Sequence, residues 1–266
     1  LRLERLGQLR DWLSQPLFTP REEAEEETLP ELDMRDWVTA VGGVSRQRLP
    51  SFALGRNVTS GGLVSIDLLR TPHLLVTGET GSGKTKAVLR PLIAQAAASN
   101  LFQVLILDMS GRNFRRFGGY PNILLVSYRI ETLLPLVESI YAEVLRRDRW
   151  LSGLPVSMAN GDELPEELGD VRADRRPPRV LVIIDEFANT IGAMNAQREL
   201  ARVAGQITSS LIQIGQEGRA MGVHLCLVAQ RPDHTQINTT LRGTLKGVTF
   251  KVRGAAEERI AEAPGA

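Results

Sequence analysis

The 266-residue chain contains one cysteine, Cys226, set within an apolar run. A disulfide framework and a cysteine-rich zinc site are thereby excluded, and a reducing, cytoplasmic setting is expected. Aromatic residues make up only 5% of the chain. No apolar run approaches the ~18 residues a membrane-spanning helix needs, and no signal-peptide pattern is present, so any membrane association is expected to come through partners or further segments. Charge of one sign is also lacking: 32 Lys and Arg face 31 Asp and Glu, a formal +1. No global field marks a polyanion binder, and such a role must rest on local patches. With 42% hydrophobic residues, the length suffices for one or two units with a sizeable core, which excludes a disordered or fibrous chain.

Composition divides the chain near residue 50. The first fifty residues hold seven basic and ten acidic side chains, with five of the acids between Glu22 and Glu27. Leu3, Leu6, Leu9 and Leu13 recur at helical spacing, so residues 1–50 are expected to form a helical segment followed by an acidic linker. Residues 51–266 are expected to form the main domain. There, 74–76, 104–107, 123–126, 180–184 and 223–228 are continuous apolar runs rather than alternating ones, as strands buried on both faces require. Helical patterns at 84–99, 130–147 and 199–216 lie between them. The expectation is an α/β fold with a mostly parallel sheet flanked by helices. Pro91 is expected to loosen a turn of the first helix. The polar stretch 152–178 reads as a long surface loop.

The first of these runs leads into Gly78-Glu79-Thr80-Gly81-Ser82-Gly83-Lys84-Thr85, a full match to GxxxxGK[ST] with a strand before it and a helix after. The glycines let successive backbone N–H groups form an anion nest at a helix N-terminus. Lys84 is placed to reach the β- and γ-phosphates of ATP, and the Thr85 hydroxyl to ligate Mg²⁺. The run 180–184 ends in Asp185-Glu186, where Asp185 suits magnesium and Glu186 suits the base that activates water. That second carboxylate favours hydrolysis over phosphoryl transfer. Gln230 closes the run 223–228 and is the candidate sensor of the γ-phosphate or the attacking water. Arg219, in Gly218-Arg219-Ala220-Met221-Gly222, stands outside any obvious ion-pair spacing and is the candidate arginine finger, with Arg231 as its rival.

These residues resemble the FtsK/SpoIIIE family of DNA-pumping ATPases. The resemblance runs in order over roughly residues 52–260, through Leu54-Gly55-Arg56, the P-loop, Leu107-Asp108, Tyr120-Pro121-Asn122, the 143–150 stretch, Asp185-Glu186-Phe187-Ala188, Gly218-Arg219-Ala220 and Gln230-Arg231-Pro232. It implies a RecA-like sheet with the strand ending at Gln230 between the P-loop and Asp185 strands. It also implies a homo-oligomeric ring, usually a hexamer, with ATP between subunits and double-stranded DNA through the pore. Thr85 stands where FtsK typically has serine, and Met-Ser-Gly-Arg follows Asp108 where the family has Pro-Lys. With no winged-helix reader in the sequence, a plasmid, phage or conjugative motor is as well supported as a chromosomal one. Type VII protein-secretion ATPases share these motifs and form the first alternative; a non-hydrolysing nucleotide-dependent assembly module is the second. Local charge agrees with a DNA path: five basic residues against Asp233 alone lie between 229 and 253. Arg242 and Lys246 there are spaced i,i+4, as one helix face would present them. Arg112, Arg115 and Arg116 form a second basic group.

Overall fold

The computed structural model describes residues 51–56, 63–78, 83–99, 101–230, 237, 239–245 and 249–252. The expected N-terminal helix and acidic linker lie outside these residues.

Two strands, β1 (Ser51–Arg56) and β2 (Leu63–Asp67), form an antiparallel pair. Six further strands form one parallel sheet: β3 (Leu74–Gly78), β4 (Phe102–Asp108), β5 (Ile123–Ser127), β6 (Arg179–Ile184), β7 (Val223–Ala229) and β8 (Thr249–Val252). Their order is β5-β4-β6-β7-β3-β8. The helices are α1 (Arg90–Ala97), α2 (Ile130–Ser152), α3 (Phe187–Asn195), α4 (Arg198–Glu217) and α5 (Thr239–Thr244). The parallel sheet flanked by helices is what the buried runs predict, and its strand order is that of the RecA-like P-loop ATPase fold the resemblance implies. Alternate residues of β6 explain why those runs are unbroken. Val180, Val182 and Ile184 pack with α2, α3 and α4 on one face, while Leu181 and Ile183 join Leu92 and Ile93 of α1 and Phe52 of β1 on the other. A strand covered on both sides leaves little room for a polar side chain unless its polar atoms find partners. Cys226 points into the second layer, where burial pushes its thiol up to about 12 and leaves it inert.

The first helix deviates where Pro91 predicts. Residues Lys84–Leu89 form a π-helical turn, the Arg90 N–H bonds to the Thr85 carbonyl, and regular α-helix starts only at Arg90. Proline tolerates a first turn because no N–H is needed there. Gln95 of α1 then clamps β1 through both amide groups, accepting from Ala53 N at 2.8 Å and donating to Ala53 O at 2.9 Å. Asn122 donates to the Ala96 and Phe102 carbonyls, closing the C-terminus of α1 onto β4.

The stretch 153–178 is more structured than a bare loop. Leu168 and Val171 are buried, and the Asn160 amide donates to Gly169 and Val171 carbonyls. Beneath it lies a buried ion pair of α2: Arg147 Nε meets Glu143 at 2.7 Å, and its other nitrogens donate to Met221 O and Pro178 O. Those carbonyls belong to the entries into β7 and β6, so the pair fixes where both strands begin.

A candidate nucleotide site at the carboxyl edge of the sheet

Three neighbouring strands end side by side. Thr77 of β3 pairs with Ala229 of β7, and Leu227 of β7 pairs with Ile184 of β6. The next residues along are Gly78, Gln230 and Asp185, all on the carboxyl edge, where open parallel sheets bind ligands. Gly83 adopts φ +93° immediately before the helical turn that starts at Lys84, a left-handed conformation that glycine takes without strain. Residues 79–82 of the loop lie outside the described residues. The Lys84 ammonium donates back to the Gly78 carbonyl, bridging the two ends of the loop. Thr85 is half-buried in the first turn.

Asp185 is 3% exposed, and its carboxylate is held from two sides. Asn113 Nδ2 donates to Oδ2 at 2.9 Å and the Glu186 N–H donates to Oδ1 at 3.0 Å. Burial raises its pKa above the ordinary aspartate value, the Asn113 bond opposes this, and the nearby charges of Glu186 and Asp108 add to the rise. Its backbone carbonyl accepts from the Tyr128 hydroxyl at 2.7 Å. Burial holds the Tyr128 phenol well above its usual range, so it remains a donor.

Glu186 is the one non-glycine residue with positive φ among the described residues, at φ 56° and ψ 25°. An L-residue in this region costs about 1–2 kcal/mol. The strain is held in place: the Glu186 carbonyl accepts from Thr190 N at 3.0 Å and Thr190 Oγ1 at 2.8 Å. The turn aims the carboxylate at Asn189 Nδ2, 2.6 Å away, and at Gln230 Nε2, 3.3 Å away. Strain over-determined by its surroundings is the pattern of a functional turn.

The other sequence candidates lie elsewhere. Arg219 sits before β7, at the opposite edge of the sheet from Gln230. The seven residues of β7 span roughly 23 Å at about 3.3 Å each. It is exposed and pairs with Glu167 at 3.3 Å. The fold thus supplies the ion-pair partner that local spacing does not show, because Glu167 lies 52 residues away. Arg231 and Lys246 lie outside the described residues. Arg242 is half-buried on α5, which ends at Thr244. Arg112, Arg115 and Arg116 are exposed beside Asn113. Sequence reasoning missed Asn113, Tyr128, Asn189 and Thr190. Only Asn189 carried a signal, standing three residues beyond Glu186 at a helix start.

The FtsK/SpoIIIE family model matches residues 44–234, more than half of the chain. The chain belongs to the FtsK/SpoIIIE family. Among curated members, the DNA translocase FtsK of Lactococcus lactis subsp. cremoris is 26% identical over 226 residues, which cover 82% of this chain and 28% of that protein. The DNA translocase FtsK of Mycobacterium leprae is 28% identical over 190 residues, 67% of this chain and 21% of its own length. The chain therefore spans about a quarter of these relatives. Among solved structures, the pCW3 conjugation coupling protein TcpA, in its monomer form with ATPγS, superposes with a TM-score of 0.58 at 23% identity, over 75% of this chain and 53% of that one. The cytoplasmic domain of the Thermomonospora curvata type VII secretion ATPase EccC gives 0.57 at 21%, over 78% and 26%. Both share the fold. The matched family region ends just beyond Gln230 and leaves Arg242 and Lys246 outside it.

Proposed function

We propose that the chain is the motor domain of a ring-forming Mg-ATP hydrolase that drives double-stranded DNA through its pore, a hexamer being the expected assembly. The observation that carries the reading is the meeting of Glu186 and Gln230 at adjacent strand ends, one strand from the P-loop. A switch that only binds nucleotide has no use for a strained, half-buried carboxylate next to the buried Asp185.

In this reading Lys84 leaves the Gly78 carbonyl for the β- and γ-phosphates. Glu186 orients a water and takes its proton as the water oxygen attacks the γ-phosphorus and the bond to the ADP oxygen breaks. Gln230, already within reach of Glu186, hydrogen-bonds the water or the γ-phosphate. Magnesium fits the donor set: a hydroxyl at Thr85 and one carboxylate at Asp185, with no cluster of three His, Cys, Asp or Glu among the described residues. Such a site suits an ion that completes its shell with phosphate oxygens and water. Bound there, it neutralises phosphate charge. Arg219 is too far from Gln230 along β7 to serve its own site, so its role is assigned in trans, completing the site of a neighbouring subunit.

The test is the ATPase rate of a chain with its native flanks, with and without duplex DNA of increasing length. Stimulation that grows with length and then saturates supports a DNA motor. Unstimulated hydrolysis favours a protein-moving relative, and nucleotide binding without turnover favours an assembly module.

A further inference from the structure

We propose that Asn113 is a positioning residue for the magnesium-nucleotide site, acting through Asp185. The inference rests on the reading of Asp185 as the carboxylate that faces magnesium.

The loop after β4 is built to aim one amide. Asp108, fully buried at the end of β4, accepts from Ser110 N at 3.0 Å and Ser110 Oγ at 2.7 Å through Oδ1, and from Asn113 N at 3.0 Å through Oδ2. Gly111 makes the turn at φ +64°, where an added Cβ would stand 2.5 Å from Ser127 Oγ, so the loop is pressed onto β5. Phe114 and Phe117 bury their rings behind it. The Asn113 backbone is thus fixed by one carboxylate, and its side chain fixes another 72 residues away. Because the Glu186 N–H takes the other Asp185 oxygen, the plane of the carboxylate is set at both ends. A carboxylate oxygen has two lone pairs, so each oxygen retains one for the water shell of an ion. Groups that orient metal-facing carboxylates in this way typically change metal affinity or activity by about 10- to 100-fold when removed.

A merely structural amide would be needed equally with and without magnesium, which separates the two roles. The experiment compares wild type, Asn113→Ala and the equal-sized Asn113→Asp, which turns an acceptor toward Asp185. Binding of a fluorescent ADP analogue is measured in EDTA and across a magnesium titration, with ATPase turnover alongside. We expect affinities in EDTA within about twofold of wild type. The magnesium midpoint should rise by about 10-fold or more, further in Asn113→Asp than in Asn113→Ala, with turnover partly recovered at high magnesium. Wild-type magnesium curves in both variants would overturn the proposal. So would equal losses in EDTA and magnesium, or a variant that binds nucleotide in neither. If wild type itself gains no affinity from magnesium, the reading of Asp185 fails first and takes this inference with it.

Discussion

Gln230 at the end of β7 donates its side-chain amide to the Glu186 carboxylate at the end of β6, 3.3 Å away, although 44 residues separate them. The contact joins the two groups to which the sequence assigns water activation and γ-phosphate sensing. It also makes their substitutions distinguishable from loss of the phosphate-binding lysine.

Lys84→Ala is expected to abolish nucleotide binding or turnover, since the phosphate charge loses its mobile counter-ion. Glu186→Gln keeps size and hydrogen bonding but removes the base, so ATP should bind while turnover falls by roughly 10²-fold or more. Nucleotide binding and steady-state hydrolysis measured side by side decide it: near-wild-type hydrolysis by Glu186→Gln would remove Glu186 from the base role.

Arg219→Ala is expected to leave nucleotide affinity of a single subunit nearly unchanged while removing most activity of the assembly, because trans arginines contribute about 10³ or more in rate. Its ion pair with Glu167 is exposed at both ends, so its loss should cost at most about 1 kcal/mol of stability. Mixing Arg219→Ala with Lys84→Ala should restore some activity, since an intact lysine site and an intact arginine can meet at mixed interfaces. No recovery, in assemblies shown to exchange subunits, would count against the trans role; the same loss with recovery in Arg231→Ala would move the role there.

What was legible in the sequence was whatever burial or local geometry writes into consecutive residues. The five apolar runs became β3 to β7 because a doubly covered strand selects mostly apolar side chains, and Pro91 marked the irregular turn because it lacks an N–H. The order β6-β7-β3 was not readable from the runs alone; it followed from the family resemblance and holds. Long-range polar pairs left no local trace. Nothing near Asn113 indicates that its amide meets Asp185, nothing near Arg219 indicates Glu167, and the left-handed turn at Glu186 breaks the preference that would have been used to find it.

Arg242→Ala combined with Lys246→Ala is expected to weaken duplex DNA binding without changing basal hydrolysis, since both residues follow the nucleotide motifs. If both contact phosphates, each lost contact should lower the slope of log affinity against log salt by roughly 0.9, equally for all sequences. Sequence-dependent weakening would indicate base readout. An unchanged salt slope with intact translocation would remove this segment from the DNA path and leave the exposed Arg112, Arg115 and Arg116 as the next set to replace.

His73 and His224 are both fully buried at the amino end of the sheet, with ring centroids 6.4 Å apart. The Leu225 N–H donates to His73 Nδ1 at 3.1 Å, and His224 Nδ1 contacts the Pro72 carbonyl at 3.0 Å while its Nε2 lies 3.3 Å from the buried Arg179 guanidinium. Burial lowers the His73 pKa from 6.5 to about 4, and burial together with the Arg179 charge lowers that of His224. Both rings are therefore neutral when folded, whereas the unfolded chain binds their protons below about pH 6.5. Because the unfolded state gains protons first, the stabilisation is complete above pH 6.5 and is lost as pH falls toward 4. For His73 the drop from 6.5 to about 4 corresponds to roughly 3 kcal/mol across that window. His73→Asn keeps an acceptor for Leu225 N and removes the proton-binding site. Urea midpoints from pH 7.5 to 4.5 should therefore fall less steeply in the variant than in wild type, and parallel curves would show that His73 is not the group responsible.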